Sequence, residues 1–244
     1  MDDLFFCTVT ALLARLHETQ EPVLRQAAEL IYTRVVQGGQ FYVTGTGHSH
    51  MLAEELYTRA GGLAFVRMIA PPEFTLDAHP MKSTLVERIP QYAQVVLTQY
   101  PVRQGDVLLI ASNSGRNGLV VELALHARAR GAAVIALTSL RHGTGCVSRH
   151  PSGKLLKDVA ELVIDNCGEA GDAATPLGNS GITMGATSTI AGAYLTERLA
   201  MLVAQNYLDN SQTPPVLRSS NLDGSDEKNR ALFSQYYQLE LPKD

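Results

Sequence analysis

Phe41-Tyr42-Val43-Thr44-Gly45-Thr46-Gly47-His48-Ser49 and Asp106-Val107-Leu108-Leu109-Ile110-Ala111-Ser112-Asn113-Ser114-Gly115-Arg116-Asn117 decide how this chain is read. Each opens as a short apolar run, the mark of a strand buried on both faces. Each then breaks into a polar turn with glycine and feeds a helix, about His50 to Ala60 after the first and Gly118 to Arg130 after the second. Working outward, Leu63 to Ile69, Ala133 to Thr138 and Leu162 to Asp165 read as further strands. Strands alternating with helices imply an α/β fold, a parallel sheet covered on both sides.

Topology makes the two turns one feature. In the flavodoxin-like order 2-1-3-4-5, strands one and three are neighbours where the order reverses, and open parallel sheets bind ligands at that point. Gly45–Ser49 and Ser112–Asn117 therefore belong side by side. Each feeds a helix N-terminus, where unpaired N–H groups and the helix dipole favour an anion. Gly47 and Gly115 let the backbone come close, while Ser49, Ser112 and Ser114 bring hydroxyls and Asn113 and Asn117 amides. His48 and Arg116 stand in the same turns. A P-loop would need Gly-Lys-Ser/Thr, and a dinucleotide fingerprint would need glycine where His50 stands, so phosphate is the better ligand.

The flanks are less regular. Leu4, Val9, Leu12, Leu13 and Leu16 predict one helix. A second is expected from Glu21, with Pro22 in its first turn and Gly38-Gly39 past its end. Pro71-Pro72 opens a loop carrying Glu73, Asp77 and His79. Residues 168 to 181 read as a loop and Ile182 to Leu208 as a long helix. A polar tail spans 209–244, and its Asp226 to Tyr237 stretch has helical character.

Composition narrows the function. The chain has 244 residues, a formal net charge of -4 and no Trp, which argues against a nucleic-acid surface. With 45% hydrophobic residues a sizeable core is available. Cys7, Cys146 and Cys167 have neither metal nor redox spacing and are expected to be free thiols. The Met1-Asp2-Asp3 start lacks a signal peptide's basic region, and no apolar run reaches membrane-spanning length. The expectation is a cytoplasmic protein with no membrane or nucleic-acid partner, no metal and no cofactor.

The two turns resemble the Gly-x-Gly-x-Ser and Ser-x-Ser-Gly-x-Thr/Ser turns of the sugar isomerase (SIS) family, with Asn117 in place of the usual hydroxyl residue. Gly185-Ala186-Thr187-Ser188-Thr189 is similar to a Ser/Thr-rich segment of arabinose-5-phosphate isomerases, and it adds Thr187 and Ser188 to the expected binding residues. Pro214 to Asn221 resembles the tail of stand-alone bacterial SIS proteins. The resemblance implies a SIS domain over 1–208, including the N-terminal helical segment, and a tail over 209–244 that packs on a partner subunit. It also implies a sugar-phosphate ligand and a homo-oligomer, dimer or tetramer.

Aldose–ketose isomerisation moves a proton between adjacent carbons and needs a base, with a further acid/base for ring opening. Glu55, in Ala53-Glu54-Glu55-Leu56, is similar to a catalytic carboxylate of heptose-phosphate isomerases. His79, in the loop after strand two, and Glu197, on the last long helix roughly two turns after Thr187–Thr189, are the other candidates. A sugar-phosphate isomerase is the leading expectation. A non-catalytic phosphosugar sensor and an etherase acting on a phosphorylated amino sugar are the alternatives.

Overall fold

A computed structural model describes residues 3–77 and 79–239. In chain order the elements are α1 (Leu4–Val36), β1 (Phe41–Gly45), α2 (His50–Leu56), β2 (Val66–Met68), α3 (Lys82–Val86), α4 (Tyr92–Gln99), β3 (Val107–Ala111), α5 (Gly118–Ala129), β4 (Ala133–Thr138), α6 (Leu140–Gly143), α7 (Leu156–Val159), β5 (Leu162–Asp165), β6 (Ala173–Pro176), β7 (Thr183–Ala186), α8 (Ser188–Asp209) and α9 (Ser225–Tyr237). The first five strands form one parallel sheet in the order β2-β1-β3-β4-β5. β1 and β3 pair from Phe41↔Val107 to Gly45↔Ala111, so both strands end level.

The strands are apolar throughout because both faces are covered. Val43, Leu109 and Ile135 pack with Leu16 and Ile31 of α1, Leu52 of α2 and Leu195 and Leu199 of α8. Tyr42, Leu108, Ile110 and Ala136 face the other way, against Val96 of α4 and Leu119 and Leu123 of α5. This alternation is the two-residue period of a strand. α8 starts at the sheet's C-terminal edge and runs back against α1 and α2, with Leu52 packed against Gly192.

Three expectations are corrected. The N-terminal pair of helices is a single helix, α1, with Pro22 inside it. Leu12, Leu16, Gln20, Leu24, Ala28 and Ile31 keep one buried stripe running past the proline. Pro22 and Glu18, whose carbonyl loses its donor, are both exposed to water. Gln20 Oε1 accepts the Asp165 N–H at 2.9 Å, and Glu21 accepts from Arg198 at 2.6 and 3.0 Å. These cross-links, from the two residues just before the proline, hold the helix to β5 and α8.

The second correction concerns residues 168 to 187. The expected loop and the first turns of the expected helix form an antiparallel hairpin, with Thr175 opposite Met184. Gly185 sits at φ +71, which no right-handed helix accommodates, and Phe5 packs directly over it. The helix starts at Ser188 because the Asp172 carboxylate accepts the Thr187 and Ser188 N–H groups at 3.0 and 2.8 Å.

The third concerns β2 and its sequel. Regular pairing is confined to Val66–Met68, because residues 61 to 64 pair with the tail instead. Gly61 and Ala64 donate to Leu217 and Pro215, and Leu217 donates to Gly62. The tail thus folds back on its own chain, and Leu217 is buried. The stretch opened by Pro71-Pro72 carries α3 and α4 before β3 begins.

The Arg198 hydrogen bond, with the charges of Arg198 and Arg25, holds the Glu21 carboxyl below the usual carboxylate range, against a smaller opposing effect of burial. A depressed folded-state pKa stabilises above the unfolded pKa and is lost as pH falls through the carboxylate range. Glu21→Gln is therefore expected to lower the urea midpoint at pH 7. Its deficit against wild type should shrink as the pH falls below about 4.

Candidate functional site

The level ends of β1 and β3 bring the two polar turns to one edge of the sheet. Gly45 is the tightest point: a Cβ there would lie 2.3 Å from the Ser49 carbonyl oxygen, so the turn excludes any side chain. Gly47–Ser49 forms a single 3-10 turn, closed by the Ser49 N–H on the Thr46 carbonyl at 3.2 Å. The second turn is closed by the Gly115 N–H on Ser112 Oγ at 3.3 Å.

One small pocket opens between these turns and α8. It is lined by His48, Ser49, Ser112, Asn113, Ser188 and Thr189, with Leu52, Leu137 and Asn166 completing the wall. Gly47, Ser114 and Gly115 belong to the same two turns. Asn166 was absent from the sequence reading, yet it is the residue after β5, on the same edge as the other strand ends. Its Nδ2 donates to Asn113 Oδ1 at 2.8 Å. Thr187 is buried, and its N–H goes to Asp172 together with the N–H and hydroxyl of Ser188. The start of α8 is thus already capped by a carboxylate.

The turns are fastened to each other by a residue that sequence reasoning missed. Glu87, just beyond α3, accepts the Thr46 hydroxyl on Oε2 at 2.9 Å and the Asn117 amide on Oε1 at 2.7 Å. Asn117 Oδ1 accepts from Arg149 at 2.8 Å. Both ends of the Asn117 amide are therefore spent within the protein, and that side chain joins loops. Burial pushes the Glu87 carboxyl up; the Thr46 hydroxyl and the charges of Arg149 and Arg88 oppose the shift.

The SIS domain family model matches residues 4–139. The chain belongs to the SIS domain family. A UPF0309 protein of Halalkalibacterium halodurans is 45% identical, over 92% of this chain and 93% of its own length. A phosphoheptose isomerase from Francisella tularensis has the same fold, with a TM-score of 0.53 and 19% identity over 82% of this chain and 95% of its own. The Vibrio vulnificus NanR protein, solved with ManNAc-6P, superposes with a TM-score of 0.50 and 21% identity, over 86% of this chain and 64% of its own.

This SIS domain brings two of the expected catalytic carboxylates together. Glu55 on α2 and Glu197 on α8 share Arg59, which pairs with Glu55 and lies 3.0 Å from Glu197. Burial raises the Glu197 carboxyl above its ordinary range; Arg59 opposes this and the Glu55 carboxylate adds to it. The cluster lies outside the pocket wall but on the same helix faces. Glu55 is one turn beyond Leu52, and Glu197 lies two turns, about 12 Å, beyond Thr189. Arg59 escaped the sequence reading because only the packing of α2 on α8 makes it a bridge. His79 is exposed, and its Nδ1 accepts the Met81 N–H at 3.1 Å in the turn that opens α3. No cluster of three His, Cys, Asp or Glu suited to a metal occurs among the described residues.

The raised Glu87 pKa has the opposite sign to that of Glu21. Its folded form binds the proton more tightly, so its contribution to stability falls as pH rises from about 4 through its folded pKa. In urea titrations the stability of wild type minus that of Glu87→Gln is expected to decline over that window. Glu87→Ala, which leaves Thr46 and Asn117 without an acceptor, should be less stable than Glu87→Gln throughout.

Proposed function

We propose that the chain binds a sugar phosphate at the two turns and interconverts its aldose and ketose forms. The observation that carries the reading is the convergence of His48, Ser49, Ser112 and Asn113 with Ser188 and Thr189 on one pocket at the strand-order reversal. Hydroxyls, an amide and the backbone of two glycine turns form a neutral cradle for phosphate, as backbone N–H groups at turns and helix N-termini hold anions without a lysine. The Ser114 hydroxyl, Gly47 and Gly115 complete the cradle.

The sugar then extends along the groove between α2 and α8 toward Glu55 and Glu197. Two carboxylates in different environments suit the acid and the base of an enediolate mechanism. Glu197, whose proton is held to higher pH, is assigned the acid and Glu55 the base. His79 is left out, since its exposed ring caps the α3 turn. The phosphoheptose isomerase with the same fold supports this reading. A sensor is the second reading, favoured by the Arg59 bridge that ties up both carboxylates and by the ManNAc-6P complex of NanR.

Calorimetry with hexose, pentose and heptose phosphates, followed by NMR of the bound sugar, separates the two. Binding of one sugar phosphate should weaken at least tenfold in Ser114→Ala. Turnover should fall at least a hundredfold in Glu55→Gln with binding retained. Binding without turnover in wild type selects the sensor, and no binding by any sugar phosphate ends both.

Self-association belongs to the same proposal. Leu4 and Phe6 on α1, with Ile182 and Met184 on the hairpin, are exposed at 50%, 66%, 56% and 57%, beside the Phe5–Gly185 contact. Apolar patches of this kind mark protein contacts. Sedimentation at micromolar concentration should give a dimer or tetramer, and Phe6→Glu with Met184→Glu should shift it toward monomer.

A further inference from the structure

A second cleft lies at the other edge of the sheet. Two adjoining cavities of about 300 and 310 Å³ share Tyr42, Arg67 and Pro101, so they form one two-lobed space. Gln40 and Arg103 precede β1 and β3, whereas the polar turns follow those strands. The length of β1, roughly 15–20 Å, therefore separates the end of the cleft at Gln40 and Arg103 from the pocket between the turns, while the cleft's other end reaches Tyr42 within β1 and Met68 of β2.

The lobes differ in chemistry. One is aromatic: Tyr42, Tyr57, Tyr100 and Tyr237, with Met68 and Gln99, come from separate parts of the fold. The other is polar and cationic, with Gln40, Arg103 and Gln238. Arg67 stands between them and is held in place. Its Nε donates to Gln40 Oε1 and its Nη2 to the Tyr236 carbonyl, both at 2.5 Å, and its guanidinium lies 5.2 Å from the centroid of the Tyr237 ring. Those bonds use two of the five guanidinium N–H groups and leave three for a ligand. The Asp106 carboxylate nearby is spent on the backbone N–H groups of Gln40 and Arg103, at 2.8 and 2.9 Å. Its negative charge remains, but the two guanidiniums outnumber it and make the polar lobe net positive.

A ligand that fills both lobes has a flat ring at one end, an anionic group at the other and a short polar link. Aromatic faces stack on bases irrespective of sequence, a fixed arginine fork recognises phosphate, and the combined volume suits a small ligand. We propose that this cleft is a nucleoside monophosphate site, with the base among the tyrosines and the phosphate between Arg67 and Arg103. The glutamine amides of Gln40, Gln99 and Gln238 are placed to meet the ribose and the base edge.

The test is calorimetry of the full chain with AMP, GMP, CMP and UMP, and with adenosine and inorganic phosphate alone. Arg103→Ala and Tyr100→Ala are the primary variants, since Arg103 is exposed and Tyr100 half-buried. Arg67→Lys, which keeps the charge but not the fork, is the third, and melting curves verify that each variant folds. At least one nucleotide should bind one to one. Its affinity should fall at least tenfold in Arg103→Ala and in Tyr100→Ala and stay unchanged in Ser114→Ala. Adenosine and phosphate alone should bind at least tenfold more weakly. The proposal is overturned if no nucleotide binds at millimolar concentration, or if phosphate alone binds as well. Loss of binding in Ser114→Ala with no effect of the two cleft variants would also overturn it, by moving the ligand to the polar turns. Because the sugar-phosphate reading is tested by other ligands and by Glu55→Gln, either reading can fail alone.

Discussion

The pairing of β1 with β3 is the constraint on which the site depends. Phe41 opposite Val107 and Gly45 opposite Ala111 make the two strands end together. Two turns 67 residues apart in sequence, counted from Gly45 to Ser112, thereby become one surface. A parallel pair buried on both faces has little freedom to slip, because a one-residue shift would turn Val43 or Leu109 into the opposite layer. The register is thus fixed by burial, and the loops inherit it.

That constraint also explains what was legible. β4 and β5 were readable to the residue, because a buried parallel strand is a continuous apolar run bounded by turns, whereas the strand order came with the flavodoxin-like topology that the family resemblance implied. The turns themselves were readable because Gly45, Gly47 and Gly115 interrupt such runs. The single helix α1 was not, since Pro22 has a local meaning that tertiary contacts of Gln20 and Glu21 override. The hairpin was not, because Asp172 caps α8 from 15 and 16 residues away. Glu87 carries no local mark at all: it follows a five-residue helix and matters only through the partners that two separate turns present to it.

Asn117 shows why a departure from a family pattern is worth tracing through the fold. A hydroxyl there would have to donate and accept through a single oxygen, whereas the amide puts the two roles on separate atoms, Nδ2 donating to Glu87 and Oδ1 accepting from Arg149. The exchange of hydroxyl for amide therefore goes with a half-buried carboxylate that needs a donor and an arginine that reaches in from the surface. Removing any one member leaves a polar group in a half-buried place without its bond, which costs more than the bond contributes when made. The second turn is thus held from behind by a chain of Thr46, Glu87, Asn117 and Arg149, and its Ser112–Asn113 face is left for the pocket.

The helix pair α2 and α8 carries the same logic from binding toward chemistry. Leu52 packs on Gly192, so the two axes run close together, and residues spaced by three or four on each helix lie along their contact. His48, Leu52, Glu55 and Arg59 follow one another on the first helix and its approaches, and Thr189 and Glu197 on the second. Arg59 and its two carboxylates thus lie farther along the same helix pair that walls the pocket. Arg59 is exposed and both carboxylates are half-buried, so the ion-pair cluster sits at the rim of the α2–α8 contact, where burial sets Glu197 apart from an ordinary surface carboxylate.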